Sequence, residues 1–268
     1  MAKNKCAVEI TQKQIESDEF KSRHRHDDKT FTRERLPFAL MMVLIMRNSV
    51  KSLQNIVNEA MTWLDLPPVT ASAYSQARYK LKHTAFIELN QTAVVDNLYG
   101  DGDYQRFWGF RVLAVDGSML VLPDTEAIRE EFGTIAWTNG KTAEIQGERP
   151  YALASVLYDV LNRVALDAVL CKAKAYEVDL AIGHLAHTRV GDLLVMDRNY
   201  PSYRMLAELS QHQRDFVIRC SSSSFTEARR MLKGEGLDTQ VVTLTPCAWI
   251  ALVAQRPAGQ GVVKYGRI

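Results

Sequence analysis

RVLAVDGSMLVLPDT, residues 111–125, runs five mostly apolar residues into an aspartate, a glycine and a serine. The alternation predicts a strand over RVLAVD that ends on Asp116. A core has no use for an unpaired charge, because burying one is costly unless it is neutralised or bound to a cation. Asp116 therefore either caps a turn or serves as a ligand for something positive. A second apolar run, DLLVMD at 192–197, also ends on an aspartate, Asp197, 81 residues further on.

Between and beyond these two strands the pattern is regular. ALASVLYDV (152–160) and VALDAVLCK (164–172) are β-rich runs joined by Leu161, Asn162 and Arg163, which predicts an antiparallel hairpin. YEVDLAIGHLAHT (176–188) and PSYRMLAELSQHQ (201–213) read as helices, the second with Ser202 near its cap, and DFVIRC (215–220) reads as a strand. Strand, hairpin, helix, strand, helix, strand is the order of an α/β domain with a mixed sheet. Active sites of open α/β sheets lie outside the carboxyl ends of strands. If the two aspartate-ending strands are neighbours, their carboxylates meet at one edge and repel each other unless a cation lies between them. A hard divalent ion, Mg2+ or Mn2+, suits an all-oxygen site, and a pair of such ions roughly 3.5–4 Å apart can drive phosphodiester cleavage. The competing reading is that each aspartate caps the turn after it. Spacing alone leaves both open.

Upstream, residues 8–98 read as mainly helical. LPFALMMVLIM (36–46) is a buried helix too short to span a bilayer. A second helix runs from about Ser52 to Trp63 and is stopped by Pro67-Pro68. Thr70 or Ser72 then caps a third, TASAYSQARYKLKHTAFIELN. Gly100 and Gly102 mark a turn-rich boundary. At 268 residues and 47% hydrophobic content, core material is ample. A net charge of +2 neither demands nor excludes nucleic acid, so any DNA contact must come from local patches. Four cysteines without zinc-type spacing, no apolar leader segment and no long apolar span predict a cytoplasmic protein without a membrane partner. RHRHDDK (23–29) reads as a mixed-charge linker rather than a metal site, and His184 and His187 as packing or capping residues. Trp137 and Tyr151 flank a turn-rich segment, TNGKTAEIQGERP, that could lie near DNA.

Five stretches carry a resemblance in the same order along the chain: FTRERLPFALMMVLIMRNSVKSLQNIVNEAM, VTASAYSQARYKLKHTAFIELN, AVDGSMLVLPDT, YALASVLYDVLNRVALDAVL and VMDRNYPSYRMLAELSQHQRDFVIR. Together they resemble the DDE transposases of bacterial insertion sequences, specifically the insertion sequence 4 family, over roughly residues 28 to 220. The resemblance implies an RNase H-like mixed sheet with flanking helices, preceded by a small helical domain. It implies a DNA-end-binding domain over 1–98, a catalytic core over 99–220 and, over 221–268, the start of a β-rich insertion with a truncated tail. It makes Asp116 and Asp197 the first two catalytic, metal-binding carboxylates. Asn199 stands where the family more often has glycine.

The implied chemistry is metal-dependent hydrolysis at element ends followed by transesterification, with terminal inverted repeats and target DNA as partners, on the nucleoid and as a homodimer or a dimer with a full-length transposase. Under this resemblance the helix after Thr70 becomes a DNA contact, Arg78 and Lys82 touching phosphates and Gln76 a base edge, with Arg198 at the catalytic edge. A solvated basic face is the plain alternative. The family's third carboxylate, a glutamate in a tyrosine-arginine-glutamate-lysine signature, has no counterpart here. Glu177 and Glu208 are the nearest glutamates, and both fall in predicted helices where a solvated side chain is ordinary. The expectation is a truncated copy that is inactive alone, or a catalytically dead inhibitor that binds DNA or dimerises with the full-length enzyme.

Overall fold

The computed structural model describes residues 2–26, 30–31, 35–47, 51–138, 145–235, 237, 239–244 and 261–266. It divides into two units, Met1–Tyr104 and Gln105–Ile268.

The first unit is helical: α1 (Ala2–Glu16), α2 (Asp18–Arg23), α3 (Phe38–Met46), α4 (Leu53–Trp63), α5 (Ala71–Arg78), α6 (Thr84–Leu89), a π-helical stretch Asn90–Asp96 and the single turn α7 (Asn97–Tyr99). Side chains of Ser17, Ser52 and Thr70 accept from Phe20 N, Asn55 N and Ala73 N, so three helices start at hydroxyl caps. α3 is apolar all round because it serves two cores. Met41 and Leu44 pack with Val57, Met61 and Tyr74, whereas Phe38 and Met42 pack with Ile15, Phe20 and Leu89.

The expected long third helix is broken. Residues 80–82 pair with 24–26 instead: His26 N donates to Lys80 O, Lys82 N to His24 O, and Arg25 bridges Leu81. Backbone groups spent on that pairing cannot continue a helix. Arg78 therefore ends α5, and Lys82 lies outside any helix, so the two do not share a helical face. The same pairing corrects the linker reading of 23–29. His24 is buried, with Nδ1 on Thr84 Oγ1 at 2.9 Å and Nε2 on Glu88 Oε2 at 2.6 Å. Residues 27–29 lie outside the described residues.

The second unit holds β1 (Arg111–Val121), α8 (Glu126–Phe132), β2 (Thr134–Thr138), β3 (Ile145–Asp159), β4 (Val164–Lys172), α9 (Glu177–His184), β5 (Asp192–Met196), α10 (Tyr203–Gln211), β6 (Asp215–Ile218), α11 (Thr226–Leu232), β7 (Thr239–Leu244) and β8 (Gly261–Gly266). β3 pairs antiparallel with β4 and with β1, and β1–β5 and β5–β6 are parallel. The central order is thus β4-β3-β1-β5-β6, with β2 paired to the first part of β3 and β7–β8 a separate ribbon. This mixed sheet, with helices flanking it, is an RNase H-like arrangement.

Two buried devices fix it. Asp159 closes the β3–β4 hairpin, Oδ1 accepting from Leu161 N and Asn162 N, while Arg163 takes the left-handed turn at φ 59°. Arg111 and Asp192, register partners at the start of β1 and β5, form a buried two-pronged ion pair at 2.8 and 2.6 Å.

Candidate active site

The parallel register that begins at Arg111↔Asp192 runs to Ala114↔Val195. Carrying the same offset two residues further sets Asp197 opposite Asp116. Both positions fall in the same alternation set of their strands and both are exposed. β1 does not end at Asp116, contrary to the sequence expectation. It continues to Val121, paired with β3 from Asp116↔Val156 through Val121↔Tyr151. Its other edge opens after Ala114, because β5 stops at Met196. The aspartate therefore sits mid-strand, at the point where its parallel neighbour gives out.

Each aspartate also organises local backbone. Asp116 Oδ1 accepts from Gly117 N at 2.9 Å, and Asp197 Oδ1 accepts from Asn199 N at 2.8 Å. The turn-capping reading is realised at Asp197, whose Oδ1 closes the turn at Asn199, but not at Asp116, whose bond to Gly117 lies within the continuing strand β1; the second oxygen of each carboxylate has no partner among the described residues. Asn199 does not adopt positive φ, so the backbone there has no need of glycine.

A third carboxylate comes to this edge. Glu177, the first residue of α9, lies against Gly117, where an added Cβ would come within 3.1 Å of Glu177 Cδ and 3.3 Å of Oε2. Tyr200 lies beneath, fully buried, and its hydroxyl is within reach of Glu177 but in a geometry that completes no hydrogen bond. Burial first, and then the negative charges of Glu177, Asp116 and Asp197, push the Tyr200 phenol well above its ordinary pKa. A buried hydroxyl without a partner costs about 1–3 kcal/mol. Among the described residues no Lys, Arg or His pairs with Asp116, Glu177 or Asp197. Nor do any three His, Cys, Asp or Glu side chains among the described residues already stand close enough together to enclose a metal ion. The donor chemistry nonetheless suits a hard divalent cation: carboxylate oxygens without counter-ions beside an orphaned buried hydroxyl.

α9 is pinned at its other end. His184, buried, meets Ser155 Oγ at 3.0 Å through Nε2 and Asp167 Oδ2 at 2.7 Å through Nδ1. This serine, histidine and aspartate chain has the order of a hydrolase triad, but Ser155 is fully enclosed and unable to meet a substrate. It is a clamp, in keeping with the packing role read for His184.

Residues 107–245 match the family described as "Transposase DDE domain", a span that includes both aspartates and Glu177. The chain belongs to that family. Among solved structures, this DDE-domain chain is similar to a piggyBac transposase, seen by cryo-EM in a synaptic complex with hairpin DNA, at 12% identity and a TM-score of 0.49. The alignment takes in 88% of this chain and 58% of that one, so the chain spans rather more than half the length of that transposase. No curated protein matches the DDE-domain chain in sequence.

The remaining residues singled out from the sequence are placed as follows. Arg198 is exposed next to Asp197 without pairing to it, and Arg219 is exposed past β6, its N donating to Met196 O. In the helical unit Arg78 and Gln76 are exposed on α5, Gln76 Nε2 donating to Ser72 Oγ at 3.3 Å, while Lys82 is half-buried. Trp137 packs over Gly147 with the Arg149 guanidinium 5.2 Å from its ring, and 139–144 lie outside the described residues. No helix among the described residues is long and apolar enough to cross a membrane. Sequence reasoning set Glu177 aside and passed over Tyr200. The latter had a signal, its place three residues after Asp197 in a turn-forming DRNYPSY segment.

Proposed function

We propose that this chain acts on DNA at the ends of an insertion sequence of the insertion sequence 4 type, with Asp116 and Asp197 as the ligands of Mg2+ or Mn2+. What supports the reading is the parallel β1–β5 register, which runs to Ala114↔Val195 and, carried two residues further, sets Asp197 opposite Asp116, with no cationic side chain among the described residues paired to either. Bound there, the cation would polarise a scissile phosphate and ease the formation of hydroxide from water. The chain's own groups do the rest. Asp116 and Asp197 are each held by a backbone N–H on one oxygen, which leaves the other oxygen for a ligand. Arg198, unpaired beside Asp197, offers its guanidinium to a phosphate oxygen. In the helical unit, Arg78 and Lys82 meet phosphates and Gln76 meets a base edge, so that the element end is gripped by one unit and cut by the other.

With two of the family's three expected carboxylates assigned, cutting is expected to be very slow. A strand-cleavage assay on terminal-repeat DNA with Mg2+ or Mn2+ tests this. Trace nicking that needs metal and disappears in Asp116→Ala and Asp197→Ala supports the reading. Nicking that survives both substitutions, or proceeds equally in a chelator, overturns it. Rapid cutting abolished by Asp116→Ala would keep the site and overturn the slow rate.

A further inference from the structure

We propose that the turn just before β1 is a stacking platform for an unstacked nucleobase, with Trp108 as the ring on which the base lies. This role rests on the reading of the chain as one that acts on DNA, but not on the two aspartates: Trp108 lies on the other side of the Arg111–Asp192 pair from Asp116 along the chain.

The turn is FWGF, residues 107–110. Phe107 N donates to Phe110 O and Phe110 N to Phe107 O, both at 2.9 Å, which closes a two-residue turn around Trp108 and Gly109. Both central residues have positive φ, 49° at Trp108 and 87° at Gly109. Turns of this kind select Asn or Asp followed by Gly, because a bulky side chain crowds the backbone in the left-handed region. Trp108 bears that strain and gains no burial in return. At 86% exposure it is the most exposed large apolar side chain among the described residues. Strain that the fold does not use points to a ligand.

The ring is also set up to receive one. Phe107 stacks on it with centroids 4.8 Å and planes 19° apart, which steadies the indole and leaves its other face to solvent. The chain entering the turn is tied down as well: Gln105 N donates to Asn162 Oδ1 and Asn162 Nδ2 to Gln105 O, at 2.9 and 3.0 Å. That tie brings the β3–β4 turn alongside, with Arg163 exposed and paired to no acid among the described residues. An aromatic anchor for a protein partner sits within a ring of contacts that exclude water. Apart from Phe107, the neighbours of Trp108 along the chain and across the tie are Gln105, Arg106, Gly109, Asn162 and Arg163, with no apolar side chain and two cations. A rigid, open aromatic face beside cations suits a base and its phosphate.

Fluorescence anisotropy of the full chain in chelator tests this apart from cleavage. The probes are a labelled single strand, the fully paired duplex of the same sequence, and that duplex with one unpaired 2-aminopurine. Wild type is expected to bind at least one of the two probes with unpaired bases about tenfold tighter than the paired duplex, and to quench 2-aminopurine on binding. Trp108→Asn, whose side chain tolerates positive φ, is expected to melt no lower than wild type and to lose both the preference and the quenching. Trp108→Phe is expected to keep most of each. Tighter binding of the single strand alone, or of the interrupted duplex alone, identifies where the base comes from, and either supports the platform if Trp108→Asn removes it. A preference that survives Trp108→Asn, or equal binding of all three probes by wild type, overturns the platform and leaves the DNA reading standing. If wild type binds none of them, the DNA reading fails and the platform fails with it. A lower melt in Trp108→Asn would show that the ring serves the fold, and a smaller sedimentation coefficient without DNA would make it a contact between copies of the chain; each overturns the proposal.

Discussion

Asp116 and Asp197 each give one oxygen to a backbone N–H, and the other has no partner among the described residues. At the residue scale, a backbone bond to one carboxylate oxygen, as in the turn cap at Asp197, does not preclude a ligand on the other. Tyr200 is the residue whose chemistry is least satisfied, and it yields the sharpest test. In Tyr200→Phe the buried hydroxyl is gone and nothing else is lost, so the metal-free protein is expected to gain up to about 1–3 kcal/mol, measured by urea denaturation in chelator. A loss of stability would mean that the hydroxyl has a partner. Its titration works in the same direction. Burial and the three nearby acids raise the phenol in the folded state above the ordinary value of 10.0. The neutral phenol's contribution is complete below pH 10 and declines as pH rises above it toward the higher folded value, because the unfolded chain ionises first. Wild type is expected to lose stability above pH 10 more steeply than Tyr200→Phe, as read from melts across that range.

At the scale of elements, pairing decides what the strands can do. The Arg111–Asp192 pair locks β1 to β5 at one end of a parallel register that runs to Ala114↔Val195, two residues short of Asp116 and Asp197. Removing one member of a buried pair costs about 3–5 kcal/mol, because the survivor keeps its charge without its partner. Arg111→Met is therefore expected to destabilise by about that amount, and Arg111→Met with Asp192→Leu by much less; equal losses in the single and double variants would argue against the ion pair as the register lock. In the helical unit, α2 is tied to α6 through Glu88, which accepts from Arg23 at 2.6 Å and meets His24. Arg23 above all, then His24, holds the Glu88 carboxyl below its ordinary value of 4.5 against the opposing effect of burial. This contribution is present above that value and is lost as pH falls through the lower folded value. Glu88→Gln is expected to flatten the fall in stability below pH 4.5, and an unchanged acid profile would dismiss the tie.

For the whole molecule, 33 basic against 31 acidic residues leave little long-range field to attract DNA. Affinity must then come from a few placed cations. If Arg78, Lys82 and Arg198 each meet one phosphate, log affinity against log salt has a slope of about −2.7, and each substitution by alanine lowers its magnitude by about one. Filter binding or anisotropy at several salt concentrations measures it. A slope unaltered by all three substitutions would place the DNA surface elsewhere.

The sequence by itself determined what depends on near neighbours. The apolar alternation of β1 and β5, the β3–β4 hairpin, the helix start near Ser52, the hydroxyl caps near Thr70 and Ser202 and the stop at Pro67-Pro68 are all set within a few residues, and all are legible as such. Asp197 was legible as the carboxylate just past the end of β5 for the same reason, whereas Asp116, read as a strand end, lies within β1. What only the tertiary structure decided are matters between distant segments: the break after Arg78, made by pairing with 24–26; the continuation of β1 past Asp116, made by β3; the burial of Tyr200; and the seat of Glu177 on Gly117. Each turns on which backbone group or side chain a remote residue meets, and local propensity carries no information about that.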